Sequence, residues 1–433
     1  MAQAARGGDS RGFARLAAMA LGVEAIDWRA LRRGKPPVLL VGGLNLVRAL
    51  GLARIPVIVA WPEAGVPALA SRYCRGWLPL PPFAEGQAAA EALARAGERL
   101  AEVFGRRVPL FYGSDDGLDL VLRHRELLGG HFRLALNDPE VASALIDKQR
   151  FEALGRARGL PLPAELDWDA LPAHPGAVLA KPKSKVAWEG SPAHLRFFGR
   201  GGKARIFESG AGLAANPLAR ELRHELMLQE YVAGSDRDLW SFHGFCDERG
   251  RLLAWFVGRK IRTWPALTGV STYLELAHDE ELAALGRAVA LRLPLRGVFK
   301  MDFKRDARSG QVRLLEVNAR YNLWHYLGAR NGVNLPRVAY DYLVHGLRPA
   351  PERARYRTRH RWLSARLDWR AFRDLAARGE LGFWRWIASL ASPKVYDVFA
   401  WTDPAPLARS AATRLKRVPR ASLRLWRWLS TAS

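Results

Sequence analysis

The stretch Gly297–Arg320 reads GVFKMDFKRDARSGQVRLLEVNAR. Two segments of alternating apolar and polar residues flank a short break at Gly310, and this pattern predicts a β-hairpin. Side chains two positions apart on a strand point to one face, so Glu316, Asn318 and Arg320 lie together and Asp302 can lie across from them. Two carboxylates and an amide carbonyl form a hard-oxygen site that suits Mg²⁺ bridged to nucleotide phosphates.

A surface hairpin with a solvated polar face is the alternative interpretation. Against it stand the apolar residues that share these strands and look like core, namely Val298, Phe299, Leu314, Leu315 and Val317. A packed core around them would place the carboxylates in the interior, where a buried charge needs a partner or a metal.

The chain has 433 residues, 49% of them hydrophobic, which is ample for two or three domains. Its net charge of +25 is compatible with nucleic acid, anionic lipid or acidic substrates. The excess is nearly all arginine in an Ala- and Leu-rich sequence, so charge alone does not indicate function. Lysine is scarce, and each lysine is therefore a candidate for the compact charge that binds phosphates.

Two cysteines far apart in sequence, Cys74 and Cys246, imply neither a disulfide framework nor a cysteine-based zinc site. The apolar segment 13–23 is too short to span a membrane and lacks a clear cleavage site. Both features predict a cytoplasmic protein.

The N-terminal part predicts a small doubly wound α/β domain. A mobile or helical segment, residues 1–34, precedes a strand that ends at Gly42 and Gly43, a helix and a second strand. The two glycines could receive a phosphate at a helix N-terminus, but the absence of a full G-x-G-x-x-G motif favours a tight turn. Asp115 follows a later strand, where such sheets place ligands, and could instead cap the next helix.

From residue 137 onward the predicted strands pair through local turns, which indicates an α+β region. A strand delivers Lys181 just before a proline, and the Gly-rich loop 199–203 could fold over phosphates or be an idle turn. The fold class predicted for the whole chain is α/β plus α+β.

The last part, residues 348–433, is rich in tryptophan and arginine. Leu425, Trp428 and Leu429 share one helical face and Arg424 and Arg427 another, which is typical of a basic amphipathic helix at an anionic membrane surface. Packing of the tryptophans back onto the body of the protein is the alternative. The predicted domains are 1–34, 35–136, 137–347 and 348–433.

The order and spacing of several short motifs together resemble the ATP-grasp superfamily, in particular its carboxylate–amine ligase and D-aspartate ligase branch. The resemblance runs from about Val38 to Gly346. Its marks are Asp147-Lys148, Lys181-Pro182, Gln229-Glu230-Tyr231-Val232 with Gly234 and Asp236, Gly258 to Arg262, Met301-Asp302-Phe303, and Leu315 to Arg320.

The resemblance implies a role for each matching residue. Lys148 and Lys181 would hold the α- and β-phosphates, and the segment Gln229, Glu230, Tyr231 and Val232 would form the hinge at the adenine. Asp236 would bind the ribose. Lys260 and Arg262 would meet the γ-phosphate and the acyl phosphate. The remaining implied residues are Asp302, Glu316 and Asn318 as the magnesium ligands, with Mn²⁺ as an alternative metal, and Arg320 as a clamp for phosphate or carboxylate.

Three departures from the family pattern stand out. Residues 186–200 look like an insertion in the phosphate loop, and Asp236 and Asp302 stand where many relatives carry glutamate.

The resemblance implies an ATP-dependent ligase that forms a carbon–nitrogen bond through an acyl phosphate, with small carboxylate and amine substrates and no nucleic acid. The acceptor end would involve residues 269–272, Tyr321, His325 and Arg330, with His325 either deprotonating the amine or serving as a structural histidine. The alternatives are an ATP-grasp phosphotransferase or ATP-binding protein without ligation, and a basic membrane- or nucleic-acid-associated module. A peripheral position at the inner face of the membrane, through the C-terminal part, accompanies the cytoplasmic prediction.

Overall fold

The computed structural model describes residues 34–183, 192–199, 204–350 and 355–417, together with Ile26 and Leu31. The predicted N-terminal helix, most of the Gly-rich loop, about half of the predicted insertion and the amphipathic helix near residue 428 lie outside these residues. Contacts divide the chain into two compact units. The first contains residues up to 134 with 343–345 and the segment from 397, and the second contains 135–342 and 346–396.

The first unit is built on a parallel sheet in the order β3-β2-β1-β4. Its strands are β1 (Val38–Val41), β2 (Val57–Trp61), β3 (Cys74–Pro79) and β4 (Leu110–Tyr112). Its helices are α1 (Leu44–Leu52), α2 (Gly86–Phe104), α3 (Asp115–Arg123) and α4 (Arg125–His131). Strands β1 and β2 are almost wholly buried, as continuous apolar runs in a parallel sheet should be.

The Gly42-Gly43 turn and Asp115 adopt simple structural roles in this unit. Gly43 is the N-cap of α1, and Ser114 caps α3 by accepting a hydrogen bond from the N–H of Gly117. Asp115 follows as the first residue of α3, where a negative charge favours the helix dipole.

The second unit begins with helices α5 (Pro139–Ile146) and α6 (Lys148–Ala157). A small antiparallel sheet follows in the order β6-β5-β7. It consists of β5 (Val178–Pro182), β6 (Arg205–Phe207) and β7 (Leu226–Glu230), with helices α7 (Pro192–Phe198), α8 (Gly210–Ala215) and α9 (Pro217–Glu221). Buried Leu171, Val178 and Leu213 belong to the core of this lobe.

The large sheet of this unit has seven strands in the order β12-β11-β8-β9-β10-β13-β14. They are β8 (Leu239–Cys246), β9 (Leu252–Trp264), β10 (Val270–Leu276), β11 (Gly297–Arg305), β12 (Val312–Asn318), β13 (Arg361–Leu363) and β14 (Lys394–Tyr396). The remaining helices of the chain are α10 (Glu280–Arg292), α11 (Trp324–Arg330), α12 (Leu335–His345), α13 (Ala365–Ala377), α14 (Phe383–Ser389) and α15 (Ala405–Arg417). The mixed α/β class predicted from the sequence is confirmed.

One face of the large sheet forms the main core. Phe299, Met301 and Phe303 of β11 are buried there with Phe242 of β8 and with Leu282 and Val289 of α10. Because side chains alternate along a strand, the even-numbered residues of β11 face the other side of the sheet. That opposite face carries the polar residues of the hairpin.

The C-terminal part differs from a separate helical extension. Strand β13 pairs with β10 and β14 pairs with β13, so residues 361–396 lengthen the large sheet of the second unit. The segment from 397 onward groups with the first unit, where the Asp403 carboxylate accepts hydrogen bonds from Arg48 Nε and Ser71 Oγ at 2.9 and 2.7 Å. The C-terminal part therefore belongs to both units: residues 361–396 extend the sheet of the second, and the segment from 397 is held in the first by buried hydrogen bonds.

No helix among the described residues is long and apolar enough to cross a membrane.

Candidate active site

Asp302 and Glu316 are directly opposite each other on β11 and β12. The register shifts between Asp302 and Phe303, so Leu315 forms a bulge and the alternation on β12 changes at that point. Leu314 can therefore lie in the core while Glu316 lies on the polar face. The bulge is what allows an apolar residue and a carboxylate two positions apart to face opposite ways.

The Asp302 carboxylate is buried and surrounded by donors. It accepts a hydrogen bond from Ser241 Oγ at 2.7 Å, and the Lys300 ammonium lies 2.5 Å from Oδ2. The Lys260 ammonium is 3.9 Å from Oδ1. Burial alone would raise the pKa of Asp302, but the two ammonium groups outweigh it and hold that pKa well below its usual range. Asp302 is therefore a carboxylate at neutral pH.

Lys300 experiences the opposite balance. Its burial lowers the pKa of the ammonium, and the neighbouring Asp302 carboxylate partly restores it, while Lys260 lowers it further. The two lysines thus bring two positive charges to one carboxylate. Such an excess of positive charge attracts an additional anion, such as a phosphate.

Asn318 and Arg320 continue along the same edge. Asn318 Nδ2 donates to Glu316 Oε1 at 2.9 Å, which leaves the amide oxygen directed away from that carboxylate. Arg320 Nη2 approaches this oxygen at 3.5 Å. The sequence-based grouping of Asp302, Glu316, Asn318 and Arg320 is therefore reproduced in space.

The donor set fits magnesium. Among the described residues no group of three or more His, Cys, Asp and Glu side chains could hold a metal ion by itself. Mg²⁺ is commonly bound by one or two carboxylates together with substrate phosphates and water. Asp302, Glu316 and the carbonyl oxygen of Asn318 are the types of group that such partial coordination uses.

Lys148 and Lys181 lie on the small-lobe side of the second unit. Lys148 Nζ donates to the carbonyl of Pro182 at 2.8 Å, and Lys181 Nζ lies 3.9 Å from Glu152 Oε1. Burial lowers the pKa of Lys181, whereas Glu152 and Glu316 raise it. The Glu316 carboxylate of the hairpin is therefore one of the charges that act on the Lys181 ammonium.

The predicted hinge residues leave one backbone donor unused. The N–H of Glu230 donates to Ala164 and the N–H of Tyr231 donates to Ala177, at 2.8 and 3.0 Å. The N–H of Val232 has no hydrogen-bond partner in the part of the chain that the structure describes. A free donor between satisfied neighbours is suited to the acceptor edge of a planar ring.

Gln229 is buried below the hinge, and its side-chain amide donates to Glu152. Tyr231 Oη accepts a hydrogen bond from Lys304 Nζ at 3.0 Å, with the ammonium 4.3 Å from the ring centroid. A cavity of about 430 Å³ borders this hinge. Its lining residues are Pro163, Glu230, Val232, Asp306, Arg308, Ser309, Gln311 and Arg313. The lining includes no phosphate- or metal-site candidate, so this cavity does not outline a whole nucleotide site.

Asp236, implied as the ribose ligand, already has three donors. Its carboxylate accepts from the N–H and Oγ1 of Thr263 at 2.6 and 2.8 Å and from the N–H of Leu267 at 2.8 Å. The side chain is buried. It fixes the turn after β9, and a ribose contact would have to share the same oxygens.

Arg262, implied at the γ-phosphate, is occupied by the C-terminal part of the chain. Its Nε and Nη2 donate to the two oxygens of Asp368 on α13, both at 2.8 Å, and Nη1 donates to Ser389 Oγ at 3.0 Å. The guanidinium is buried over the ring of Tyr273. A direct role at the phosphate would require this pair to open, whereas Lys260 faces Asp302 without rearrangement.

The residues implied at the acceptor end divide into two groups, since Thr272, Tyr321 and His325 are buried whereas Val270 and Arg330 are exposed. The N–H of Asn322 donates to His325 Nδ1 at 2.9 Å, and burial lowers the pKa of His325 to about 3. Its ring packs edge-on against His243, 5.9 Å away. Tyr321 and Thr272 are buried as well. The geometry favours the structural interpretation of His325.

Four polar residues at the site were not singled out by the sequence-based interpretation. They are Ser241, Lys300, Lys304 and Glu152. Lys300 and Lys304 carried a usable signal, since both are lysines in a lysine-poor chain and each lies two positions from Asp302. Ser241 and Glu152 carried none, because only strand pairing and lobe packing bring them to the site.

Comparison with known proteins agrees with this architecture. Residues 223–365 match the family described as ATP-grasp in the biosynthetic pathway with Ter operon. A D-aspartate ligase of Enterococcus faecium is 21% identical over 275 residues, covering 60% of this chain and 64% of its own length. This chain therefore aligns with less than two thirds of that relative.

Two solved structures share the fold at low sequence identity. The L-amino acid ligase of Bacillus licheniformis superposes with a TM-score of 0.53 and 14% identity, covering 76% of this chain and 78% of the ligase. A biotin carboxylase domain of Hydrogenobacter thermophilus in complex with MgADP and bicarbonate superposes with a TM-score of 0.54 and 15% identity, covering 74% and 72%.

Proposed function

We propose that this chain, whose fold is that of the ATP-grasp enzymes, is an ATP-dependent ligase that joins a small carboxylate to an amine. The observation that carries the proposal is the cross-strand pair Asp302 and Glu316 with Asn318 beside it and two lysine ammonium groups against Asp302. The arrangement offers oxygen ligands for magnesium and positive charge for transferring phosphate in one place.

The nucleotide would lie between the small sheet and the hairpin face. The free N–H of Val232 would donate to the adenine, and Lys148 and Lys181 would approach the α- and β-phosphates. In the structure both lysines are held by neighbouring oxygens, Pro182 O and Glu152. A phosphate would replace these weak internal contacts with charge-assisted hydrogen bonds.

In the reaction, an oxygen of the substrate carboxylate attacks the γ-phosphorus of ATP, and the bond from that phosphorus to the bridging oxygen of ADP breaks. The amine then attacks the acyl phosphate, losing a proton as inorganic phosphate leaves. Magnesium held by Asp302, Glu316 and Asn318 would supply charge neutralisation on the phosphates. The scheme needs no covalent bond between the substrate and the protein, so alignment and electrostatics provide the catalysis.

Individual side chains have distinct tasks in this scheme. Lys260 and Lys300 place positive charge beside Asp302, where the γ-phosphate charge develops. Arg320, at the end of the same edge, would bind the carboxylate or the leaving phosphate through its planar guanidinium. Glu152 and Asp302 hold the ammonium groups of Lys181 and Lys300 in position before the nucleotide binds.

A direct test measures ADP release from purified protein with Mg-ATP and a panel of carboxylates and amines. The panel includes D-aspartate, after the ligase of Enterococcus faecium, and L-amino acids, after the Bacillus licheniformis structure. We expect release that requires both a carboxylate and an amine. Glu316→Gln should abolish it, whereas Glu102→Gln, at an exposed position on α2 of the first unit, should not.

The two alternative functions give different outcomes. ADP release with a single substrate, accompanied by a stable phosphorylated product, would identify a phosphotransferase. ATP binding without release across the panel, and without an effect of Glu316→Gln on that binding, would contradict the proposed site.

A further inference from the structure

A patch of exposed apolar side chains lies on α13 and α14 of the second unit. It consists of Trp369, Phe383, Trp384 and Ile387, and we call it the apolar patch. Trp384 is 79% exposed and the other three are between 41% and 47% exposed. Contiguous aromatic surface of this kind on a folded protein is typical of an interaction site.

Packed aromatic rings lie beneath the apolar patch. Phe372 is buried, and the ring of Trp386 stacks on it with centroids 4.8 Å apart while its indole N–H donates to Asp368 at 2.9 Å. Trp369 and Phe383 pack against these inner rings at 5.3 and 6.0 Å from Phe372. The interior positions are therefore taken, and the outer rings have no further core to enter.

The helices that carry the patch, and the turn between them, also carry exposed positive charge. Within residues 365–390 five arginines are exposed, Arg366, Arg370, Arg373, Arg378 and Arg385. The exposed acids of the same segment are Asp374, which accepts from Trp264 Nε1, and Glu380, which pairs with Arg378. An apolar centre with a cationic rim complements a surface with negative head groups over hydrocarbon.

We infer that the apolar patch and its arginines dock the protein peripherally on an anionic phospholipid surface. Tryptophan prefers the boundary between head groups and acyl chains, and arginine binds lipid phosphate through its planar fork. A second copy fits less well, because a two-fold interface would bring the same arginines face to face. The inference goes beyond the ligase proposal, since none of these side chains touches the candidate active site residues described above, except Trp386, which reaches Arg262 only through Asp368.

The experiment is co-sedimentation of the full chain with phosphatidylcholine vesicles that contain about 30% phosphatidylglycerol or none. We expect binding to the anionic vesicles that weakens between about 0.1 M and 1 M salt. The double variant Phe383→Ser with Trp384→Ser should lower the apparent affinity about tenfold or more. Leu291→Ser, at another exposed apolar position on α10, is the matched control and should bind like the unmodified chain.

A charge variant tests the rim independently of packing. Arg373→Glu with Arg385→Glu changes two exposed side chains, so the fold should be retained, and anionic-vesicle binding should again fall severalfold. ADP release measured without vesicles should be unchanged in every variant, which separates this inference from the proposed reaction.

Several results would overturn the inference. They are equal binding by the Phe383/Trp384 variant and the unmodified chain, equal binding to neutral and anionic vesicles, and no vesicle binding at all. A self-associating protein that becomes monomeric in the Phe383/Trp384 variant would assign the patch to a second copy. Oligonucleotide binding lost in both variants, without vesicle binding, would assign it to nucleic acid.

Discussion

Removing the Asp368 carboxylate should destabilise the second unit strongly. This side chain accepts four hydrogen bonds, two from Arg262 at 2.8 Å and one each from Thr272 Oγ1 and Trp386 Nε1 at 2.9 Å. The side chains of Arg262 and Asp368 are 5% and 1% exposed, so Asp368→Ala leaves an uncompensated guanidinium in the interior. Breaking a buried pair from one side costs on the order of 3–5 kcal/mol.

The expected shift in melting temperature follows from the size of the unit. For a domain of this size each kcal/mol lowers the melting temperature by roughly 2–4 °C, so a loss of about 3–5 kcal/mol predicts a fall of roughly 6–20 °C. Differential scanning calorimetry of the full chain would measure it. Asp374→Ala is the matched control on the same helix. That exposed carboxylate accepts one hydrogen bond from Trp264 Nε1, and its loss should cost about 1 kcal/mol.

A double variant of the same buried pair tests the role of Arg262. Replacing both partners, Arg262→Met with Asp368→Met, removes the unpaired charge and should recover much of the lost stability. If Arg262 only anchors the C-terminal segment, ADP release should persist in the double variant. An unchanged melting temperature for Asp368→Ala would refute the structural reasoning. Loss of turnover in a stable double variant would show that Arg262 binds the phosphate.

Three further predictions concern other parts of the chain. Glu316→Gln should lower turnover at least about a hundredfold while leaving the melting temperature nearly unchanged, because the side chain is exposed; a large loss of stability in calorimetry would contradict this. Asp403→Ala leaves Arg48 buried without its carboxylate and should cost the first unit on the order of 3–5 kcal/mol, measurable by denaturant unfolding; unfolding like the unmodified chain would show that the segment from 397 does not support that unit. Burial lowers the pKa of His325 to about 3, so below about pH 6.5 this imidazole is protonated in the unfolded chain but stays neutral in the folded one. Stability should therefore fall as pH decreases from about 6.5 towards 3, and His325→Phe should flatten this slope by up to about 1.4 kcal/mol per pH unit; an unchanged slope in unfolding titrations would mean that the imidazole is not held neutral.

The sequence by itself determined the local elements of the site. Alternation along 297–320 places Asp302, Lys300 and Lys304 on one face of a strand and Phe299, Met301 and Phe303 on the other, because strand geometry has a period of two. The break at Gly310 fixed the hairpin, and the spacing of Glu316, Asn318 and Arg320 placed them on one edge. These are short-range consequences of backbone geometry, and the structure reproduces them.

Tertiary structure decided what neighbouring strands and distant segments contribute. The bulge at Leu315 turns Leu314 into the core and leaves Glu316 on the polar face, and it arises from the pairing of two strands rather than from either one. Strand pairing likewise brings Ser241 to Asp302. Neither contact has a signature in the local sequence.

The fate of Arg262 is the clearest case. Its place in a basic cluster after Gly258 indicated a phosphate ligand, yet Asp368, 106 residues later, takes its guanidinium into a buried pair. Sequence pattern can show that a residue carries a charge. Which carboxylate pairs with that charge depends on distant chain segments that only the folded structure brings together.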